Sequence, residues 1–88
     1  MQPGDPRADP AVVDLVELAG LWVAARDWTA LVRTLRRLDD EIGRRFPDEA
    51  DFAVRFRDLV HLVEAAHNTD GEAAAEKIRR AYRQATVG

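Results

Sequence analysis

The stretch DWTALVRTLRRLDDEI, residues 27–42, decides the fold. Its large apolar residues are Trp28, Leu31, Leu35, Leu38 and Ile42, spaced 3, 4, 3 and 4 apart. At about 100° per residue this spacing lines one side of an α-helix and leaves the other side polar. Arg33, Arg37 and Arg44 fall together opposite the leucines, with Arg36 nearby. Asp27 stands just before Trp28, where a carboxylate caps a helix by accepting from a free N–H of the first turn.

The same rhythm recurs downstream. Phe52, Phe56, Leu59, Val63 and Ala66 are spaced 4, 3, 4 and 3, and Ala74, Ile78, Ala81 and Ala85 follow with Tyr82 beside them. Such seams belong to helices packed nearly antiparallel at crossing angles of about 20°. Phe46-Pro47 separates the second helix from the third, because the residue before proline avoids helical backbone. Asp48 is the expected cap of helix 3, which should end near Ala66 before a loop at 67–69. Thr69-Asp70-Gly71-Glu72 fits a capping box for helix 4, which should end near Ala85. No segment alternates with period two, so no strand is expected.

Upstream, Asp9-Pro10 predicts a capped helix 1 running to about Ala25, with Arg26-Asp27 as a tight turn. Residues 1–8, with Pro3, Gly4 and Pro6, are expected as a flexible leader, and residues 9–88 as a single helical domain. Connections of two to four residues force neighbouring helices to run antiparallel. Formal charge alternates along the chain: −3 over residues 1–25, +2 over 26–46, −3 over 47–67 and +1 over 68–88. The fold class is therefore all-α, a small antiparallel four-helix bundle built from two helical hairpins. A three-helix bundle with one helix docked outside is its nearest rival.

Helix 1 is the exception to clear amphipathicity. Of residues 11–25 only Asp14, Glu17 and Gly20 are not apolar. Trp22 is read as the centre of the main apolar face, with Val12, Leu15, Ala19 and Val23, and both indoles are expected to pack inward as scaffolding. Val13 and Leu21 fall away from that face, so either helix 1 is sandwiched within the domain or its second side docks on a partner, with Gly20 then allowing the partner's backbone to approach closely. Leu18, Ala19 and Trp22, followed by Asp27-Trp28, resemble the first helix and turn of a tetratricopeptide repeat over about 20 residues. The likeness stops at Leu31, where that family places a small residue, and a generic helical hairpin is the reading retained.

Eighty-eight residues without cysteine exclude disulfides, zinc–thiolate sites and thiol nucleophiles. There is also no serine, and Thr29, Thr34, Thr69, Thr86 and Tyr82 have no evident neighbouring base. Asp58 and His61, then Glu64 and His67, echo metal-ligand spacing. Both pairs lie on one helix, however, with the histidines about 240° apart, so no metal is expected. A net charge of −3 offers no general attraction to nucleic acid or anionic lipid. No apolar run is long enough to span a bilayer, and the N-terminus has no secretion-signal pattern, so a cytoplasmic protein is expected.

The expected function is a non-enzymatic protein–protein interaction module, an adaptor or small regulatory subunit. It would bind a protein partner or a second copy of itself through Val13, Leu18 and Leu21, rimmed by Asp14 and Glu17. No catalytic residue, cofactor, membrane contact or small-molecule substrate is expected. The alternative is a small DNA-binding regulator presenting Arg33, Arg36, Arg37 and Arg44, although the acidic balance argues against nucleic acid.

Overall fold

The computed structural model describes residues 5–69 and 72–87. Among these described residues four helices follow one another: α1 (Pro10–Ala25), α2 (Trp28–Arg45), α3 (Ala50–Thr69) and α4 (Glu72–Val87). Short 3-10 turns, Pro6–Ala8 and Pro47–Glu49, precede α1 and α3. Residues 1–4 of the expected leader lie outside the described residues, whereas Pro6 is buried.

Local chemistry sets most of the helix ends. The Asp9 carboxylate accepts from Val12 N at 3.2 Å, with Pro10 in the first helical position, where its missing N–H costs nothing. At the other end of α1 the chain reverses through Arg26, which adopts left-handed backbone (φ 57°, ψ 31°) and donates its N–H to the carbonyls of Trp22 and Val23. Asp27 then caps α2 by accepting from Ala30 N at 3.1 Å.

Two boundaries differ from expectation. Asp48 does not cap α3 but lies inside the 3-10 turn that Pro47 initiates, and α3 begins at Ala50. Helix α3 also continues through the expected loop at 67–69, since no proline or glycine stops it before residue 70. The capping box at Thr69–Glu72 includes residues outside the described set.

Partners across the helices show the direction of each. Trp22 meets Thr34 and Asp9 meets Arg45, so α1 and α2 are antiparallel. Arg36 meets Glu64 and Asp39 meets Arg57, so α2 and α3 are antiparallel. Val16 meets Tyr82 and Arg26 meets Glu72, so α4 returns alongside α1 and closes the ring. The closure makes the fold an antiparallel four-helix bundle, and α2 against α3 is its most extensive packing and α1 against α4 its least.

The seam of α2 fills the centre: Leu31, Leu35, Leu38 and Ile42 are all fully buried. Phe52, Phe56, Leu59, Val63 and Ala66 meet it from α3, joined by Ala53 and Val60, which the heptad reading missed. Phe52 and Phe56 pack edge to face with centroids 5.2 Å apart. Among the described side chains of α4 only Ala74 and Ile78 are buried, while Ala81, Tyr82 and Ala85 are half-buried.

Helix α1 is rotated from the expected position. Its buried residues are Val12, Ala19 and Val23, and Trp22 lies about 80° to one side, half-buried against α2. There its indole Nε1 donates to the Thr34 hydroxyl at 3.1 Å, and that hydroxyl donates onward to the Ala30 carbonyl at 2.9 Å. An indole must keep its N–H hydrogen-bonded while hiding its rings, and the α1–α2 seam satisfies both needs. Trp28, also half-buried, sits in the opposite groove between α2 and α3 with Val32, Val63 and His67. Both tryptophans therefore belong to helix–helix seams.

Candidate interaction face on α1 and α2

The residues singled out on α1 divide between two sides of the helix. Leu21 is 64% exposed and Leu18 37% exposed, about 60° apart and both turned outward. Exposed Asp14 lies between them in projection, and Ala11 and Ala25 extend the same line. Residues 11, 14, 18, 21 and 25 thus form a second heptad stripe on the outside of α1. Val13 is not part of it. That side chain is half-buried about 140° from Leu18, in a cleft of about 290 Å³ with Val12, Val16, Phe52, Phe56 and Thr86. Glu17 is exposed at the corner between the two sides.

Gly20 is close-packed, but within the chain. The Tyr82 hydroxyl lies over it and donates to the Val16 carbonyl at 2.6 Å. The space that a partner's backbone was expected to use is therefore filled by α4. Burial pushes the Tyr82 phenol above its ordinary pKa, and the nearby Glu17 carboxylate adds to the shift.

The arginines of α2 also divide. Arg36 turns toward α3, where its guanidinium meets Glu64 at 3.1 Å. Arg33, Arg37 and Arg44 face outward, and Arg44 pairs with Glu41 one turn earlier. Arg33 and Arg37 form no ion pair among the described residues, nor do Asp14 and Glu17. Because α1 and α2 form a hairpin with a two-residue turn, the α1 stripe and Arg33, Arg37 and Arg44 share one side of the bundle. The register given by Trp22 and Thr34 puts Leu18 level with Arg37, Leu21 near Arg33, and Asp14 between Arg37 and Arg44.

The result is a shallow two-helix face with apolar residues along the middle of α1, Asp14 on its α1 wall, Glu17 at the outer corner where it also lines the Val13 cleft, and on its α2 wall Arg33 and Arg37, which form no ion pair among the described residues. The sequence reading named these residues but assigned them to two competing sites. A two-residue hairpin connection was the signal that could have united them, since it places both outward stripes on the same side.

Other concave regions are less organised. The cleft at Trp28, Thr29, Val32 and His67 measures about 270 Å³, and its Glu64 is engaged by Arg36. Arg57 grips Asp39 with two hydrogen bonds of 3.1 Å, which raise its pKa and neutralise the polar hollow beside Asp40 and Gly43. Among the described residues, no three His, Asp or Glu side chains gather as a metal site. No helix among them is long and apolar enough to cross a membrane. The chain matches no protein-family model, no curated protein and no solved structure.

Proposed function

We propose that this chain is a non-enzymatic protein-binding module whose docking surface is the outer face of the α1–α2 hairpin. The observation that carries the reading is the exposed leucine pair, Leu18 and Leu21, on a helix whose inner side is already filled by Val12, Ala19 and Val23. A helix serving only the bundle would place polar residues there. An apolar centre bordered by charge is the arrangement of protein-binding patches, in which the charges orient the partner and the apolar residues supply most of the affinity.

A photo-crosslinking residue tests this in the cells that make the protein. Placed at position 21 or 18 it should give discrete protein adducts, whereas at exposed positions 54 or 61 on α3 it should give few. Equal or absent adducts at all four positions would overturn the proposal. The DNA-binding alternative is weaker because Arg36 and Arg44 are engaged by Glu64 and Glu41, and Asp14 shares the face. It requires retardation of duplex DNA at low salt that Arg33→Glu with Arg37→Glu abolishes.

A further inference from the structure

Resting on that reading, we infer that the occupant of the α1–α2 face is a second copy of the same chain, held by reciprocal charge pairing. The face is electrostatically two-sided. Asp14 lies on α1 with Glu17 at its outer corner, Arg33 and Arg37 lie along α2, and none of the four has an ion partner among the described residues. A two-fold axis parallel to the helices and lying in the face sets α1 of each copy over α2 of the other. Heights along the bundle are unchanged by that rotation. Asp14 of each copy then lies between Arg37 and Arg44 of its mate, and Leu18 meets the aliphatic stem of the mate's Arg37. The leucines of each copy then lie against the aliphatic stems of the mate's Arg33 and Arg37.

The other face-to-face arrangement, with the axis across the helices, stacks α1 on α1. It brings the Asp14 carboxylates of both copies to one α1–α1 seam with no cation of α1 to offset them, because α1 contains no Lys or Arg. Charge therefore selects between the two symmetric dimers. An isologous contact also closes on itself and leaves no free copy of the patch.

The size of the face sets the strength. A helix of 16–18 residues is about 25 Å long at 1.5 Å per residue, and the bundle is 20 Å wide. Each copy contributes about 500 Å², and a total near 1,000 Å² is the lower limit for a specific interface. The dimer is accordingly weak and concentration-dependent, and salt loosens it.

Sedimentation of the full chain from micromolar to millimolar concentration tests this. The expected result is a rise from 9.9 kDa toward twice that mass, shifted to higher concentration by added salt. Arg33→Glu with Arg37→Glu, and separately Asp14→Lys with Glu17→Lys, should each raise the dimer dissociation constant about tenfold or more, with the helical circular dichroism unchanged. Mixing the two variants should restore association as a heterodimer, since each then presents walls of one sign. A strictly monomeric wild type, or a mixture no more associated than its components, would overturn the dimer. Crosslinks from position 21 to a foreign protein alone would do so as well while leaving the docking surface standing.

Discussion

Tyr82 fills the space in which a side chain on Gly20 would sit: a Cβ built there lies 2.9 Å from the phenol oxygen and 3.5 Å from the ring carbon bearing it. The hydroxyl is fixed by its 2.6 Å hydrogen bond to Val16, and this contact is a main tie between α1 and α4. Gly20→Ala should therefore fail to deliver the stabilisation of about 1 kcal/mol that alanine normally gives over glycine inside a helix. In a Tyr82→Phe background the nearest atom becomes an ordinary contact, and the same substitution should stabilise. Tyr82→Phe by itself should cost about 1 kcal/mol, the worth of a typical hydrogen bond. Urea unfolding of the two single variants and the double variant measures the cycle.

Gly43 supplies the control. It lies within α2, and nothing comes within 4 Å of an added Cβ. Gly43→Ala should raise stability by about 1 kcal/mol in any background, read as a higher urea midpoint with an unchanged slope.

The Trp22–Thr34 hydrogen bond predicts a spectroscopic effect as well as an energetic one. Thr34→Val keeps the shape of a buried side chain but deprives the indole N–H of its acceptor. Stability should fall by about 1 kcal/mol. In a Trp28→Phe background, which isolates Trp22, the fluorescence maximum should shift as water replaces the hydroxyl.

Core and outer leucines should separate by an order of magnitude in their effects. Leu35→Ala removes a fully buried side chain and should cost about 2–5 kcal/mol, enough to unfold much of so small a domain at room temperature. Leu21→Ala, at a 64% exposed position, should change the stability of the dilute monomer by less than about 0.5 kcal/mol. A large loss from Leu21→Ala in dilute solution would mean that this side chain is buried within the protomer.

Acid should release the clamp between the start of α1 and the end of α2. The two hydrogen bonds from Arg45, at 2.7 and 3.1 Å, hold the Asp9 carboxyl below its ordinary pKa of 3.8. A carboxyl with a lowered native pKa stabilises the fold above its unfolded value, and that contribution is lost as pH falls below 3.8 through the native value. Asp9→Asn should therefore narrow the stability difference between neutral and acid solution, with the two proteins converging at the lowest pH. Equal pH dependence in both would remove the clamp.

Much of the architecture is local and was readable from one sequence. Asp9-Pro10 and Asp27 mark helix starts because a cap acts within three residues, and Pro47 marks a break because its ring acts on its neighbours. The seam of α2 declared its buried side because that helix is polar on its other side, leaving one rotation that hides the leucines, and α3 was legible from the spacing of Phe52, Phe56, Leu59 and Val63 although Val54 faces outward. Nothing comparable constrained α1. It is apolar nearly all round, so its periodicity allowed several rotations, and the one adopted follows from what α2 and α4 present: Thr34 accepts the Trp22 indole, and Tyr82 needs Gly20 and the Val16 carbonyl. That rotation turned Val13 toward the cleft, left Leu18 and Leu21 outside, and set them beside Arg33 and Arg37. Sequence determined which helices form and where they begin; only packing decided which side of the first helix faces solvent, because that choice lies in contacts between residues as far apart as 16 and 82.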